Sequence, residues 1–569
     1  MAGSNFDQPM MGRRAFIGGA MAASALAALA ACGKKGGEAS GSASSGSTSS
    51  SGGTLRYYIN NPVSIDPYNG QETEGVRVIY QLFDSLTLYD YQKEKLVPLA
   101  AEKWESNDDA TEFTFTLKDA KFHNGDPVTS KDFKRAFERI VNPNSAVAKK
   151  YTPSVIAYHL STVEGYDELS AGSADELTGV TCPDDKTLVI KLTSPYADFP
   201  YVMSHPSLAP VPEAGDKDVD SYYLAPIGNG PFKIKDGTKW EDGSSIDLVR
   251  NDDYYGEDKP KIAAVHFAIQ KDVATGYREF QAGNLDFARV PVAEIESAKK
   301  KYKVSEDGYT ATPDGNILLG SQQATYFYVC NMKAAPFDNV KVRQAASLAI
   351  NRDNVSDVVF HGTRKSADSV IPPSIHGYEK GAWPYSHYDK EAAEKLLDEA
   401  GYPRDSSGSR GLKIKVTYDA AANMEVLESI MQDLNEVGFD CEADTAEWKA
   451  VLSQYTDHNF QLGSLGWTAD YPIMDNFLYP LFHSDSLEGD NHSGYSNPEV
   501  DAAIKEARTM TDEDARLKKQ QEIVKIIGED CPVIPINYYS HDYIASPDTV
   551  KSLYLSPAVN PDLSTAEMA

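Results

Sequence analysis

The histidines and the best-known catalytic motifs indicate whether this chain could be an enzyme. The eleven histidines are scattered, and His483 and His492, the closest pair in the C-terminal half, lie in a loop-like stretch of Asp, Ser and Gly. The sequence has no H-E-x-x-H motif, no P-loop, and no G-x-S-x-G nucleophile elbow in the region expected to fold. We therefore predict no catalytic residue, no metal site and no cofactor, and we expect that the protein is not an enzyme.

The five cysteines are the other side chains with chemistry of their own. Four of them form no C-x-x-C pair, which argues against a thiol redox centre or a zinc ribbon. Outside the cytoplasm these four could form two disulfides in any of three pairings, or stay buried as small hydrophobic residues. They are Cys182, Cys330, Cys441 and Cys531.

The fifth cysteine, Cys32, ends a segment typical of exported lipoproteins. Arg13 and Arg14 precede an apolar run over 15–31, as in a secretory signal, and the arginine pair matches the twin-arginine export pattern. The small residues before Cys32 resemble the bacterial lipobox, whose cysteine receives a diacylglycerol. The same run reaches the lower length limit of a membrane helix. We predict a signal peptide over 1–32 and lipidation at Cys32.

A flexible tether is predicted over residues 33–53. The chain from Gly36 to Gly53 is almost entirely Gly and Ser, and such a coil spans about 23 Å between its ends. Lipid, slack linker and folded body together predict a lipid-anchored protein on the extracytoplasmic face of the cell membrane, in the periplasm or at the cell surface.

Composition and charge limit the possible partners. The chain has 569 residues, of which 41% are hydrophobic, enough for one large multi-lobed body. Its 54 Lys and Arg oppose 84 Asp and Glu, giving a formal net charge of -30. Such a surface repels phosphate backbones, so no nucleic-acid partner is expected. Cationic and zwitterionic ligands remain compatible with this charge.

Beyond the tether, strand and helix patterns alternate. Residues 112–117 alternate with period two, as a half-buried strand does, and residues 55–59 and 187–192 are also predicted strands. Ser130 is predicted to cap a helix, and residues 390–400 place apolar side chains on one helical face. With no repeat of 20–50 residues, the pattern indicates several α/β or α+β lobes.

A series of short motifs resembles one protein family over nearly the whole mature chain. In chain order the motifs include Ser64-Ile65-Asp66-Pro67, Leu82-Phe83-Asp84-Ser85-Leu86, Asn124-Gly125-Asp126-Pro127, Gly228-Asn229-Gly230-Pro231-Phe232, Pro336-Phe337-Asp338-Asn339-Val340-Lys341-Val342-Arg343 and Gly466-Trp467-Thr468-Ala469-Asp470-Tyr471. Taken together, these motifs resemble those of the family-5 extracellular solute-binding proteins of peptide and nickel ABC importers.

The resemblance implies a three-lobed, periplasmic-binding-protein-like type II (cluster C) fold of mixed α/β structure. Two hinged lobes would close over the ligand of a monomeric receptor that serves an ABC permease and its ATPase subunits. The implied lobe I combines 54–85, 216–322 and 538–569, lobe II is 86–215, and lobe III is 323–537.

The implied site centres on Asp470. In peptide-binding members the aspartate of the Trp-x-Ala-Asp-Tyr motif pairs with the α-ammonium of the ligand. An α-amino group is mostly protonated at neutral pH, and an enclosed cation needs an anion to offset its desolvation. Backbone groups around Gly466 and Ala469 would bind the ligand main chain as an added strand. The other residues carried over by position are Trp467, Thr468, Thr73, Tyr326, Tyr328 and Trp448.

One departure from the family concerns the far end of the ligand. Where the best-known oligopeptide receptors have arginines that help to neutralise the ligand carboxylate, this sequence has Ser464 and Tyr455. The ligand class expected is a short peptide. The alternatives are a receptor of the same fold for a nickel chelate, haem or oligosaccharide, against which the motif at Asp470 argues, and a tethered hydrolase, for which no motif is found.

Overall fold

The computed structural model describes residues 52–569 except 152, 153, 241, 242, 258, 421 and 488. The predicted signal peptide, Cys32 and the tether up to residue 51 therefore lie outside the described residues. The described chain folds into alternating strands and helices.

The first sheet collects strands from three distant parts of the chain. Its two central strands pair in parallel from Thr54 opposite Ala264 to Ile59 opposite Ile269. The spatial order is Ile317–Leu318, Tyr543–Ala545, Phe287–Arg289, Thr54–Ile59, Ala264–Ile269, Ser245–Arg250 and Phe232–Ile234. A small three-stranded sheet lies at the C-terminal end of the chain. Its strands are Thr310–Ala311, Val550–Leu555 and Pro561–Met568.

The second sheet is antiparallel and lies within residues 101–191. Its strands, in spatial order, are Ala101–Ser106, Glu112–Leu117, Thr187–Lys191 and Val180–Thr181. Side chains of Glu112–Leu117 alternate between buried and half-buried, as predicted. A hairpin of Thr87–Asp90 and Lys95–Pro98 precedes this sheet.

The helix Ser130–Val141 corrects one sequence prediction. Ser130 is its first helical residue, and Thr129 is the N-cap, forming a capping box with Asp132. The Asp132 carboxylate accepts from the Thr129 N–H at 2.8 Å, which satisfies a donor at the helix start. The sequence prediction was therefore wrong by one residue at this end.

The third sheet has six strands and carries the predicted ligand-binding motif. Helices such as Val340–Ala349 and Met424–Val437 cover one face, and Asp475–Phe482 and Glu513–Asp530 contribute to the apolar cluster on the other. The strand order is Lys365–Ser366, Val533–Ser540, Ser321–Cys330, Leu462–Thr468, Leu412–Asp419 and Phe439–Ala446.

The other helical segments connect or flank these sheets. The α-helices are Thr73–Leu82, Ala146–Lys150, Tyr166–Ser170, Phe199–Val202, Ala214–Lys217, Val219–Leu224, Val273–Gln281, Ile295–Lys301, Arg352–Asn354, Lys390–Glu399, Trp448–Thr456 and Pro498–Thr509. Four short 3-10 turns are Pro67–Asn69, Ala157–Leu160, Val292–Glu294 and Ser484–Ser486, and Val355–Val359 is a π-helical turn.

Two strands connect the first sheet to the third. Ser321–Cys330 follows the edge strand Ile317–Leu318, and Val533–Ser540 precedes the neighbouring strand Tyr543–Ala545, with Ser321 opposite Ser540. The expected lobe boundaries at 322/323 and 537/538 fall inside these two strands. The division into lobes stays a prediction.

The four cysteines of the described chain carry no disulfide, and Cys330 and Cys531 are buried. Of the two possibilities left open by the sequence, the structure shows free thiols. No helix within the described residues is long and apolar enough to span a membrane. The same residues contain no group of three or more His, Cys, Asp or Glu arranged to hold a metal ion.

Candidate ligand-binding site

The strand Leu462–Thr468 presents one open edge. It pairs along its whole length with Ser321–Cys330, from Cys330 opposite Leu462 to Ala324 opposite Thr468. Its other edge meets Leu412–Asp419 only at Leu462 and Gly463. In the described part of the chain, residues 465–468 therefore have no strand partner on that side. An extended ligand can add to such an edge through main-chain hydrogen bonds.

Gly466 lies on this strand where side chains from two neighbouring strands converge. It is opposite Tyr326, which is in turn opposite Asn537. A Cβ atom at Gly466 would lie 2.6 Å from the hydroxyl oxygen of Tyr539. Glycine at position 466 therefore permits the close approach of Tyr539 to the strand. That it also permits the close approach of a ligand backbone stays a prediction.

Ala469 has its backbone groups occupied within the protein. Its N–H donates to the carbonyl of Gln323 at 2.9 Å, and its carbonyl accepts from the Gln323 side-chain amide. The amide oxygen of Gln323 accepts from the hydroxyl of Tyr91. Main-chain binding of a ligand at Ala469 would require Gln323 to move, so this part of the predicted contact is not free in the structure.

Trp467 and Asp470 are held by one residue, Asn476. The indole N–H of Trp467 donates to the backbone carbonyl of Asn476 at 2.7 Å. The backbone N–H of Asp470 donates to the side-chain oxygen of Asn476 at 3.1 Å. Thr468, between them, is exposed. The turn after the strand is thus fixed at both ends, which gives the Asp470 carboxylate a defined position.

The carboxylate of Asp470 is half-buried and has no cationic partner. It accepts a hydrogen bond from the hydroxyl of Tyr158 at 3.2 Å. Burial raises the pKa of Asp470 above its usual range, while His205, Tyr158 and Asn476 act in the opposite direction. Within the described chain no Lys or Arg forms an ion pair with it. The ionised carboxylate therefore lacks the counter-charge that would offset its desolvation.

Two buried imidazoles lie close to Asp470 and stay neutral. The rings of His159 and His205 are 4.6 Å apart. Burial lowers the pKa of each to about 3. At neutral pH neither ring supplies a positive charge, so the negative charge of Asp470 remains available to a ligand.

Tyr158 is a site residue that sequence reasoning missed. It comes from the short turn Ala157–Leu160, 312 positions before Asp470, and 43% of its surface is exposed. No local spacing connects two residues so far apart. The hydroxyl of Tyr158 reaches Asp470 from a different part of the fold, so the contact joins the region of the second sheet to that of the third.

The remaining predicted residues fall into different environments. Tyr326 is half-buried beside Gly466, with the Tyr539 ring 6.4 Å away in an edge-on arrangement. Tyr328 has no exposed surface and packs in the core under the sheet, so a ligand contact would require the strand to move. Thr73 and Trp448 are exposed at the first residues of their helices. Their roles stay predictions.

Ser464 and Tyr455 occupy the places where the sequence departs from the family. Tyr455 is fully buried, and its hydroxyl donates to the backbone carbonyl of Ser464 at 2.7 Å. Ser464 is buried as well. Neither residue presents a polar group to the cleft, so this part of the site contains no charge for an anionic ligand group.

The loop that follows the second sheet is attached to helices that pack on the third sheet. The carboxylate of Asp198 pairs with Arg516 at 2.8 Å, both side chains being buried. The N–H of Ala197 donates to the carbonyl of Arg508 at 2.8 Å, and the Arg508 guanidinium lies over the ring of Tyr196. These contacts hold the two bodies together on one side of Asp470. An open strand edge that ends beside a carboxylate with no cation among the described residues is suited to an extended ligand.

Comparison with known proteins assigns the chain to a protein family. The model of the bacterial extracellular solute-binding proteins, family 5 (middle region), matches residues 95–488. The chain belongs to family 5 of the bacterial extracellular solute-binding proteins, which are binding proteins rather than enzymes. The predicted family is thereby confirmed.

Individual relatives cover most of the chain. The oligopeptide-binding protein OppA of Bacillus subtilis (strain 168) is 30% identical over 501 residues, covering 85% of this chain and 87% of the relative. Among solved structures, the unliganded open form of the periplasmic murein tripeptide-binding protein MppA has a TM-score of 0.76 at 26% identity, covering 91% of this chain and 99% of that one.

A peptide complex of a relative fits less closely. OppA of Haemophilus influenzae in complex with RPPGFSPFR has a TM-score of 0.64 at 28% identity, covering 90% of this chain and 99% of that one. These neighbours confirm the predicted mixed α/β, lobed fold. The TM-score with that unliganded open form is thus higher than with this peptide complex.

Proposed function

We propose that this protein is the substrate-binding component of an ABC importer, and that it captures short peptides outside the cytoplasmic membrane and delivers them to the permease. The observation that carries the proposal is the Asp470 carboxylate, half-buried at the end of an open strand edge and without a cation. The names of the relatives, oligopeptide-binding and murein tripeptide-binding proteins, support a peptide ligand.

The chemistry of a peptide matches both features of the site. Its α-ammonium has a pKa near 8 and is mostly charged at neutral pH, so it can supply the cation that Asp470 lacks. Its backbone can pair with residues 465–468 whatever its side chains are. One carboxylate at a fixed position would then set the register of the ligand, and the strand edge would supply affinity that tolerates many sequences.

Ligand binding would also stabilise closure of the lobes. A ligand shifts an open receptor toward a closed form only through contacts that exist in the closed form. Tyr158 and Asp470 belong to different sheets' surroundings and already share a hydrogen bond. An ammonium bound at Asp470 would lie close to the Tyr158 hydroxyl as well, and contacts to both regions would let the permease distinguish a loaded receptor from an empty one.

The proposed cellular setting follows from the sequence. Export, lipidation at Cys32 and the Gly/Ser tether would anchor a monomeric receptor at the extracytoplasmic face of the membrane, next to its permease and ATPase subunits. The net charge of -30 argues against a nucleic-acid partner.

Native mass spectrometry of the purified protein with a mixture of short peptides tests the proposal. Intact peptides bound one per chain are the expected result. Cleaved peptides would indicate a hydrolase instead, and failure to capture any peptide would favour a receptor for a non-peptide ligand. The same mixture with acetylated N-termini is the matched control, since it lacks the ammonium and should bind much more weakly.

A further inference from the structure

A cavity whose lining does not include Asp470 lies beside the C-terminal strands. Residues of the helix Thr73–Leu82, of the hairpin that begins at Thr87, and of the strands Val550–Leu555 and Pro561–Met568 line it. Its volume is about 330 Å³, at the low end of the roughly 300–1,000 Å³ that small-molecule sites have. A space of this size suits a small molecule rather than a peptide.

Six tyrosines line this space, which is therefore named the tyrosine cavity. They are Tyr80, Tyr89, Tyr91, Tyr254, Tyr255 and Tyr554. Elsewhere in the fold arginines cover tyrosine rings. The guanidinium carbon of Arg139 lies 5.9 Å from the ring centre of Tyr68 and 5.5 Å from that of Tyr222. Among the described residues no Lys or Arg lies over any of the six cavity tyrosines. No cation of the described chain therefore occupies these rings.

Neighbouring rings of the tyrosine cavity stand at steep angles to each other. The ring centres of Tyr89 and Tyr91 are 4.8 Å apart, with 80° between the ring planes. Those of Tyr254 and Tyr255 are 5.1 Å apart, with 58° between the planes. Because the face of an aromatic ring is negative, rings turned in different directions can attract one cation from several sides.

Asp84 places a buried carboxylate in the same cavity. Its side chain is 4% exposed, and its Oδ2 atom accepts hydrogen bonds from the hydroxyls of Tyr254 and Tyr255 at 2.8 and 2.6 Å. Within the described chain Asp84 forms no ion pair, although the charge of Lys118 acts on it. Burial raises the pKa of Asp84 to about 6, so these neighbours do not offset the desolvation of the carboxylate.

The other carboxylates of the tyrosine cavity are compensated. Asp90 pairs with Lys93 at 2.7 Å. Asp562 accepts hydrogen bonds from the hydroxyls of Ser564 and Thr565 at 2.6 and 2.8 Å. Glu257 is exposed to solvent. Asp84 is thus the lining carboxylate that a bound cation would stabilise most.

We propose that the tyrosine cavity binds a small organic cation, with the tyrosine rings around its charge and Asp84 as its counter-ion. Aromatic rings together with a carboxylate are suited to quaternary ammonium groups, which carry a charge but no N–H donor. The two hydroxyls that already bond to Asp84 do not have to be displaced by such a ligand. This site is separate from Asp470, so the inference goes beyond peptide capture and does not depend on it.

Isothermal titration calorimetry of the full chain with choline tests the proposal, because choline carries a trimethylammonium group. Its neutral isostere, in which a quaternary carbon replaces the nitrogen, is the matched ligand control. Choline should bind at least about tenfold more tightly than this isostere. Absence of choline binding, or equal binding of the two compounds, would overturn the proposal.

Substitutions in the cavity locate the binding. Asp84→Asn should weaken the binding of choline but not that of the isostere. Tyr554→Leu, which removes a ring, should weaken choline binding, and Tyr554→Phe, which keeps the ring, should restore most of it. Tyr388→Leu, at a tyrosine that is 46% exposed and does not line the cavity, is the control and should bind choline as the wild type does.

The same titrations separate this cavity from the peptide site, where Asp470 also lacks a cation. Asp470→Asn should lose peptide capture and retain choline binding, and Asp84→Asn should do the reverse. If choline binding is lost in Asp470→Asn and kept in Asp84→Asn, the cation binds at the peptide site and the tyrosine cavity is not a cation site. The comparison of choline with its isostere needs no substitution, so it is decisive even where Asp84→Asn does not fold.

Discussion

Two regions of the molecule use the same pair of side chains in opposite ways. At Asp66 and Arg139, carboxylate and guanidinium meet directly at 3.2 and 3.1 Å, with 0% and 3% of their surfaces exposed. At the candidate site, Asp470 accepts hydrogen bonds from neutral groups and Arg364 donates one to Asn537, and within the described residues neither charge has a counter-charge. The first arrangement joins the turn Pro67–Asn69 to the helix Ser130–Val141. The second leaves its charges available to a ligand.

The difference shows where stability and binding are located. Removing one member of a buried ion pair leaves an uncompensated charge in the interior, so the satisfied pair should matter for folding. The unsatisfied charges carry an electrostatic cost that a zwitterionic ligand can relieve, so they should matter for binding. Substitutions in the two regions should therefore affect different measurements.

The largest effect on stability is expected for Arg139→Met. This change leaves the Asp66 carboxylate buried without its counter-charge and should lower the free energy of unfolding by about 3–5 kcal/mol. Urea unfolding followed by circular dichroism measures it. Lys131→Met, which removes an exposed pair with Asp185, is the matched control and should change little. If both substitutions lowered the free energy of unfolding equally, the buried ion pair would matter no more for folding than an exposed one.

The largest effect on binding is expected for Asp470→Asn. Loss of the anion that meets the α-ammonium should weaken peptide capture by about 2–5 kcal/mol. The free energy of unfolding should not fall, because the half-buried carboxylate has no cation to lose. Isothermal titration calorimetry and urea unfolding give the two quantities. Asp485→Asn, at an exposed residue near Lys505, is the control. Unchanged affinity in Asp470→Asn would remove the ammonium assignment.

The pH dependence of binding provides a separate test. Because burial raises the pKa of Asp470 above its value in the unfolded chain, the folded protein protonates this group first as the pH falls. Peptide capture should weaken in that range, at higher pH than for an ordinary aspartate. Across the same range, protonation of Asp470 should increase the free energy of unfolding of the empty protein.

The difference between wild type and Asp470→Asn isolates the contribution of Asp470, since burial raises the pKa of two other aspartates, Asp84 and Asp198, to about 6. Calorimetric titrations at a series of pH values should show a fall in wild-type affinity that the variant lacks. A parallel fall in both proteins would assign the dependence to other groups.

The smallest effect is expected for Gly466→Ala. The added Cβ would lie 2.6 Å from the Tyr539 hydroxyl and would shift the ring that stacks on Arg364. Peptide capture should weaken by about tenfold or less. Gly489→Ala is the control, since the nearest atom to its Cβ is 3.5 Å away. Unchanged capture by Gly466→Ala would show that the ligand does not depend on this part of the strand.

Local patterns predicted much of the fold. The alternation in Glu112–Leu117 and the apolar face of Lys390–Glu399, with Ala393 and Leu397 buried, have the structures that their periodicity indicates. The cap of Ser130–Val141 was misplaced by one residue, because Thr129 and Ser130 are both good capping residues and only the position of Asp132 selects between them.

The sequence by itself determined the family and the motif around Asp470, since ordered motifs, composition and side-chain periodicity are properties of the linear chain. The tertiary structure decided which side chains meet that motif. Tyr158 reaches Asp470 across 312 positions, and the Tyr539 hydroxyl approaches Gly466 from a strand two places away in the sheet. Such contacts depend on how sheets and lobes pack. Whether a charge is paired or left for a ligand depends on its neighbours in space, which no spacing along the chain specifies.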